Sequence, residues 1–285
     1  MTGGSGTSMD RRGVRIVDTF AEAFDMRAAR VLITARSPAW ARTAAQSMTG
    51  FATSVIGCKV EAGIEADLLP HETPDGRPGA SVPQAAERVL VGGLLRHFGD
   101  RFQSSKFLDG RRYWRIPVME GEFLVQEAFG VEKAIGGGNF LVLARDQDAA
   151  LGAAEAAVGV MRKVRGVVLP FPGGIVRAGS KVGAKHYKKM VASTNDAYCP
   201  TLRGRDGVTS ELPEDVSSVL EIVVDGLNRH AIECAMRAGI DAACRPGVVE
   251  ITAGNYGGKL GKHHFRLHTI LSDPGAAAAP LTSGE

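Results

Sequence analysis

Cysteine and aromatic residues are scarce in this 285-residue chain. Its four cysteines form no CxxC pair, and no histidine accompanies them at metal-ligand spacing. A disulfide framework and a structural zinc site are therefore not predicted, and we expect reduced thiols. Aromatic residues make up only 6% of the chain, which argues against a surface that stacks nucleic-acid bases. We predict neither a metal nor a nucleic-acid partner.

Long apolar runs and a strong charge imbalance are also missing. No apolar stretch approaches the roughly 20 residues of a membrane-spanning helix. The first residues, MTGGSGTSMDRRG, contain no apolar signal core. Lysine plus arginine number 34 against 31 for aspartate plus glutamate, a net charge of +3 that excludes histone-like and polyacidic proteins. This balance still permits a local basic patch. We expect a cytoplasmic protein with no membrane partner.

A strand–helix–strand pattern occurs three times along the chain. The copies are ARVLITA, a helix over 38–50 and ATSVIGCKVEAG; GNFLVLA, a helix over 147–164 and GVVLPFPGG; and SVLEIVVDGL, a helix over 229–244 and GVVEITAGNYGG, with HHFRLHTIL as a last strand. Polar residues are mixed with apolar ones in these strands. That mixture favours helices on one face of an antiparallel sheet over a doubly wound parallel sheet.

The repeats predict an α+β fold with two ferredoxin-like (split βαβ) lobes. Two repeats complete one lobe, so three repeats leave the first lobe one strand–helix–strand unit short. The gap falls at ASVPQAAERVLVGGLLRH, after which RRYWRIPV and GEFLVQE predict a hairpin. We predict flexible tails over 1–12 and 273–285, a depleted first lobe over 13–130 and a complete second lobe over 131–272.

Five polar, glycine-rich segments interrupt these repeats, most of them at strand ends. They are HETPDGRPG, GGGN, PFPGGIVRAGSKVGAK, ASTNDAYCPT and AGNYGGKLG. Any one of them could be a tight turn, whereas five together favour a pocket. None has P-loop or GxGxxG spacing, so a nucleotide site is not indicated.

Two charged features within these segments could carry chemistry. Glu221 lies in the apolar strand over 219–224, where alternation places it opposite the core-facing residues. It marks either the solvent side of the strand or a carboxyl group whose pKa is raised by an apolar setting. Arg177, Lys181 and Lys185 belong to a basic run that is either a solvated face or a cradle for an anionic ligand.

Many segments of the chain resemble the formylmethanofuran–tetrahydromethanopterin formyltransferases. The matching segments are DTFAEAFDMRAARVLITA, MTGFATSVIGCKVEAGIE, ETPDGRPG, FGDRFQ, WRIPVMEGEF, GGGNFLVLA, PFPGGIVRAGSKVGAK, ASTNDAYCPT, LEIVVDGLN and AGNYGGKLG. They cover 13–79 and 96–271 in the family's order. The arginine- and alanine-rich composition is closer to the bacterial methylotroph branch, in which the protein is a subunit of a formyltransferase/hydrolase complex.

The resemblance implies a homotetrameric core, hydrolase subunits as partners and two ferredoxin-like lobes. It implies transfer of a formyl group between methanofuran (or bacterial methylofuran) and N5 of tetrahydromethanopterin, as part of formaldehyde oxidation in one-carbon metabolism. No tightly bound cofactor or metal is needed, because the formyl group is already an activated amide. Glu221 matches the family's acid–base position, where it moves protons at a tetrahedral intermediate or donates to the developing oxyanion.

We expect eight further residues to bind the substrates. Arg177, Lys181 and Lys185 would hold the anionic tails of the carriers. The pterin or the formyl oxygen would be oriented by Ser180, Asn195, Asp196, Asn139 and Asn255.

The chain departs from the family at the gap in its first lobe. In the family a further strand, helix and strand follow ETPDGRPG, whereas ASVPQAAERVLVGG stands in that place here. A natural deletion, an error in the gene sequence and compensation by a partner subunit would each explain the difference. The alternative function is a non-catalytic assembly subunit that holds the carrier. The depleted lobe favours it, and Glu221 and the SKVGAK loop oppose it.

Overall fold

A computed structural model describes residues 9–28, 87–108, 110–119 and 121–272, and these form a mixed α+β structure. The strands are β1 Met9–Arg11, β2 Val14–Ile16, β3 Phe20–Ala28, β4 Glu87–Val89, β5 Ser104–Leu108, β6 Arg111–Val118, β7 Gly121–Gln126, β8 Phe129–Ala144, β9 Val167–Val168, β10 Ser180–Val182, β11 Ala192–Thr194, β12 Ser218–Gly226, β13 Val248–Thr252 and β14 His263–Arg266. The α-helices are α1 Val91–Leu95, α2 Gln147–Met161, α3 Arg229–Ala243 and α4 Leu267–Ser272. The predicted first repeat lies outside the described residues, and so do residues 80–86 of the predicted gap. The rest of the gap contains β4 and α1.

Contacts divide the chain into two units, 1–26 with 134–285 and 27–133. This differs from the predicted boundaries at the start of the chain. Strand β2 pairs with β13 and β3 pairs with β14, so the segment over 13–26 belongs with the later part of the chain. Residues 9–11, predicted to lie in a tail, form β1 because they pair with β2.

The sheet of the larger unit has the strand order β1-β2-β13-β8-β12-β9. Apart from the separate hairpin of β10 and β11, the chain from β8 to β13 runs strand, helix, strand, strand, helix, strand. The neighbours β13-β8-β12-β9 are all antiparallel. The second and third predicted repeats are confirmed. Their helices end a little earlier than predicted, at Met161 and Ala243.

Helices α2 and α3 pack together on one face of this sheet, as predicted. Each begins at a side-chain cap: Asp146 accepts a hydrogen bond from the Ala149 amide at 2.8 Å, and Asn228 accepts one from the Ala231 amide at 2.9 Å. Their apolar sides bury alternate residues of the central strands, such as Ile222. The opposite face of the sheet contacts loop residues in a second apolar cluster.

The prediction of one final strand over HHFRLHTIL is wrong in its second half. Strand β14 ends at Arg266 and α4 begins at Leu267. Leu267, Ile270 and Leu271 are spaced as on one face of a helix, and all three are buried. Burial of that stripe requires the helical conformation. His264 and His268 therefore do not share a strand face.

The smaller unit contains an antiparallel sheet of β5, β6 and β7. The predicted hairpin of β6 and β7 is confirmed, whereas β5 was not predicted. Leu95 of α1 packs with Trp114, Ile116 and Val125 in a small apolar core. Every residue of β5 is exposed. Across the parts of the chain that the structure describes, no helix is both long and apolar enough to cross a membrane.

Candidate active site

Glu221 lies near the middle of β12, on the face opposite the helices. Leu220, Ile222 and Val224 are buried in the core, whereas the Glu221 side chain is half-buried on the other face. Burial raises the pKa of this carboxyl group to about 7. The group therefore exchanges a proton near neutral pH, as an acid–base residue must.

Residues of the two neighbouring strands continue the face that carries Glu221. Glu221 is paired with Leu141 of β8, and Leu141 is in turn paired with Thr252 of β13. Asn139 lies two residues before Leu141 and shares its face. The sheet thus places Glu221 and the predicted ligand Asn139 in diagonal positions on adjacent strands, where side chains are about 7–8 Å apart.

Tyr198 is a polar neighbour of this face that the sequence analysis did not identify. Its phenol group donates a hydrogen bond to Glu211 at 2.6 Å and also interacts with the Thr252 side chain. Burial, followed by the contact with Glu211, raises the pKa of Tyr198 above its usual range. The phenol therefore stays neutral and keeps its proton.

A backbone bridge attaches the predicted basic segment next to Glu221. The Val176 amide donates to the Glu221 carbonyl at 2.7 Å, and the Glu221 amide donates to the Val176 carbonyl at 2.9 Å. Arg177 follows directly in the chain. It is exposed and forms no ion pair with any described residue.

The hairpin of β10 and β11 brings five of the predicted ligands together. Ser180 pairs with Thr194, and Lys181 pairs with Ser193. The Asn195 amide donates to the Gly179 carbonyl at 3.1 Å, and a short 3₁₀ helix over Asp196–Tyr198 follows. Two segments that are separate in sequence, SKVGAK and ASTNDAY, thus form a single element.

Asp196 is the counter-ion of this hairpin. Its carboxylate accepts hydrogen bonds from Lys181 and, at 2.8 Å, from Lys185. The bond from Lys181 and then that from Lys185 hold the pKa of Asp196 well below its usual range. Lys185 also donates to the Gly207 carbonyl at 3.1 Å. Two lysines share one aspartate, so the cluster keeps a net positive charge.

The glycine-rich loop between β13 and β14 contacts both Asn139 and the hairpin. The Gly254 amide donates to the Asn139 side chain at 2.8 Å. The Tyr256 hydroxyl accepts a hydrogen bond from the Val182 amide at 3.1 Å. The Asn255 side chain donates to Thr19 at 2.9 Å, so this predicted ligand is engaged within the protein.

Glu22 of β3 holds the same loop from inside the protein, and no sequence pattern pointed to it. Its side chain is 3% exposed. One carboxylate oxygen accepts from the amides of Tyr256 and Gly258 at 2.8 and 2.5 Å, and the other accepts from Leu260 and Gly261 at 2.9 and 2.8 Å. Burial alone would raise the pKa of Glu22, but these four bonds lower it below its usual value.

The described residues contain no cluster of three or more histidine, cysteine, aspartate or glutamate side chains that could hold a metal ion. The larger unit instead presents a carboxyl group of raised pKa and a cationic hairpin tied to its strand. A proton-exchanging group beside cationic side chains is typical of enzymes that transfer a group between anionic substrates.

Comparison with family models identifies the class of enzyme to which this chain belongs. The model for formylmethanofuran-tetrahydromethanopterin formyltransferase matches residues 9–88, and the model for the proximal lobe of the same family matches residues 121–270. The chain belongs to the formylmethanofuran–tetrahydromethanopterin formyltransferase family. The resemblance seen in its sequence is thereby confirmed.

Similar proteins are found in bacteria and archaea. The formylmethanofuran–tetrahydromethanopterin formyltransferase of Methylobacillus flagellatus is 52% identical over 91% of this chain and 99% of its own length. A component of the formyltransferase/hydrolase complex of Methylorubrum extorquens is 46% identical over 93% of this chain and 98% of its own length.

Two solved structures are also similar. The crystal structure of the formyltransferase/hydrolase complex of Methylorubrum extorquens with methylofuran contains a chain that is 45% identical, with a TM-score of 0.75 over 94% of this chain and 100% of that chain. The formyltransferase of Methanosarcina barkeri is 43% identical, with a TM-score of 0.74 over 92% and 100%.

This chain also has fewer residues than the aligned length of its relative. The comparison with the Methylobacillus protein spans 301 positions, but 91% of 285 residues, or about 260, occupy them. About 40 positions of the alignment therefore have no residue in this chain. The difference is large enough to include the strand–helix–strand unit that the sequence predicts to be absent, since such a unit takes about 30 residues or more.

Proposed function

We propose that this protein transfers a formyl group between methanofuran, or methylofuran, and N5 of tetrahydromethanopterin. The observation that carries the proposal is the half-buried Glu221, with a pKa of about 7, in a chain of this family. The complex of the Methylorubrum relative was crystallised with methylofuran, which supports this carrier.

Glu221 would move the proton that the transfer requires. In the direction of tetrahydromethanopterin, N5 attacks the formyl carbon, a C–N bond forms, and one electron pair of the C=O bond moves onto oxygen. The Glu221 carboxylate takes the N5 proton. The intermediate collapses, the C=O bond re-forms, and the bond to the furan amine breaks as Glu221 returns the proton to that amine. The reverse reaction follows the same steps.

The basic hairpin would bind the anionic tails of the carriers. Lys181 and Lys185 are held by Asp196 but retain a net positive charge, and the bridge at Val176 ties exposed Arg177 to the strand of Glu221. Asn139 is on the face of Glu221. Ser180, Asn195 and Asn255 lie in the elements around it, where they could orient the pterin or the formyl oxygen.

We also propose that the protein has the family's architecture of two ferredoxin-like lobes. The predicted bounds, 13–130 and 131–272, change in one respect: 13–26 joins the second lobe, because its strands pair with β13 and β14. The antiparallel order β13-β8-β12-β9 with two helices on one face supports the second lobe. The name of the Methylorubrum relative supports hydrolase subunits as partners, and the resemblance adds a homotetrameric core. We propose the cytoplasm as its location, because Cys199 and Cys244 are free thiols in the described part of the chain, which fits a reducing compartment.

The test is formyl transfer to tetrahydromethanopterin by the purified protein, followed by absorbance. We expect turnover, and we expect Glu221→Gln to lower kcat about 100-fold or more while KM changes little, because the amide cannot exchange the proton. Glu155→Gln, which makes the same change on the exposed side of α2, should leave both constants unchanged. An unchanged kcat in Glu221→Gln would remove this residue from the mechanism.

The absence of about 40 aligned positions favours a second candidate function. A subunit with a depleted lobe could hold the furan carrier in the complex without transferring the formyl group. A folded oligomer that binds the carrier and gives no turnover would support this candidate. Turnover would establish that the absent unit is dispensable.

A further inference from the structure

The carboxylate of Glu22 is bound by the backbone of a single loop. Four amide groups between Tyr256 and Gly261 donate to it, two to each oxygen, at 2.5–2.9 Å. Glu22 reaches the loop from β3, more than 230 residues earlier in the chain. A carboxylate supplies acceptors for all four donors, whereas a glutamine side chain has one oxygen and an NH₂ group that can only donate.

The loop also lies so close to β3 that only glycine fits at position 261. A Cβ atom on Gly261 would lie 2.7 Å from the Ala23 carbonyl oxygen and 2.8 Å from the Ala23 nitrogen. Gly258 has a φ of +76°, which glycine adopts without strain. Glycine therefore permits this backbone path, and Glu22 accepts the hydrogen bonds along it.

This loop reaches the candidate active site at two points. The Gly254 amide fixes the Asn139 side chain, and the Tyr256 hydroxyl accepts from the amide of Val182, the residue after Lys181. We propose that Glu22 is a positioning residue for substrate binding, which fixes the glycine-rich loop and, through Tyr256, the basic hairpin. The inference rests on the proposed function, because it assigns the hairpin to the carriers.

The test is Glu22→Gln, read by amide hydrogen exchange and by steady-state kinetics. The variant keeps the shape of the side chain but turns an NH₂ group toward two N–H donors. We expect exchange at Tyr256, Gly258, Leu260 and Gly261 to become about tenfold faster or more. KM for the furan carrier should rise about tenfold while kcat changes less than about threefold, because the loss affects binding and not the proton transfer.

Glu250→Gln is the matched control. Glu250 is 4% exposed, pairs with Arg15 and makes none of the four hydrogen bonds. Glu250→Gln should lower the stability of the protein without changing KM or the amide hydrogen exchange of the loop. Glu22→Asp keeps the charge and should recover part of the KM loss. Tyr256→Phe removes only the bond to Val182 from a side chain that is 40% exposed, so it folds even if Glu22→Gln does not.

We expect Tyr256→Phe to raise KM in the same direction as Glu22→Gln but by less. The inference would be overturned if Glu22→Gln had the loop exchange and the KM of the wild type. It would also be overturned if KM rose equally in Glu22→Gln and Glu250→Gln. Where Glu22→Gln does not fold, an unchanged KM in Tyr256→Phe would overturn it. A wild-type protein without transfer activity would reject the proposed function, whereas the exchange of the four amides would still report whether Glu22 holds the loop.

Discussion

Two glutamates of the larger unit are removed from water, and their pKa values move in opposite directions. Burial raises the pKa of Glu221 to about 7. Glu22 is more deeply buried, yet four amide donors stabilise its charged form and lower its pKa. The difference is the supply of hydrogen-bond donors. Glu221 is therefore suited to exchange protons, and Glu22 is suited to remain charged and hold structure.

The raised pKa of Glu221 predicts an unusual dependence of stability on pH. The folded state binds this proton more tightly than the unfolded state, whose value is near 4.5. The contribution of Glu221 to stability is then full below about pH 4.5 and is lost as the pH rises through about 7. Glu221→Gln cannot ionise. We expect its free energy of unfolding, relative to wild type, to be higher at pH 8 than at pH 5, by on the order of 3 kcal/mol.

Chemical denaturation of both proteins at the two pH values measures this difference. If Glu221→Gln is more stable than wild type at pH 8 but has a lower kcat, the native protein keeps a destabilising charge at Glu221 that the reaction requires. The same stability difference at pH 5 and pH 8 would show that burial does not perturb this group.

At the scale of elements, the basic hairpin is built from two neighbouring segments of the chain. Neither SKVGAK nor ASTNDAY forms a site alone, and pairing of β10 with β11 places Asp196 against Lys181 and Lys185. The internal counter-ion orders the two lysines. Such preorganisation lowers the entropy cost of binding an anion.

The hairpin predicts that carrier binding is sensitive to salt. Lys181→Met should raise KM for the furan carrier about tenfold, because a cationic contact to the carrier tail is lost. The wild-type KM should rise between about 0.05 M and about 0.5 M salt as screening increases, and that rise should be smaller in the variant. Kinetics at several salt concentrations measure both effects.

Lys163→Met is the control for this experiment, since Lys163 is exposed just after α2 and outside the hairpin. It should keep the wild-type KM and its dependence on salt. A wild-type KM that does not respond to salt would argue against an electrostatic cradle.

At the scale of the whole molecule, the chain is shorter than its relatives. About 40 positions of its relatives have no counterpart, and β5 of the smaller unit is exposed along its length. An exposed strand edge offers unpaired backbone groups, which natural proteins usually cover. Assembly with further subunits would provide such cover.

We therefore expect an oligomer in solution. A homotetramer of the 30.0 kDa chain would have a mass of about 120 kDa by light scattering. The formyl-transfer activity should elute with that species in size-exclusion chromatography. A single species near 30 kDa with full activity would contradict the tetramer and show that the shortened chain works alone.

The repeats of the larger unit could be predicted from the sequence, because their signals are local. Alternation in SVLEIVVDGL, an alanine-rich helix and capping residues each act over a few positions, and β12, α2 and α3 form as predicted. The face on which Glu221 lies also followed from strand alternation. The family was recognisable because its loop motifs are long and occur in order.

The meeting of distant groups, in contrast, depends on the folded chain. The change from β14 to α4 requires burial of Leu267, Ile270 and Leu271, and HHFRLHTIL alternates well enough to be taken for a strand. Strand β3 is specified by its pairing with β14, which the sequence does not show. Glu22 lies on this strand, and its hydrogen-bond partners lie more than 230 residues away. Hydrogen bonds of this kind depend on distance in space, and a linear sequence does not contain that distance.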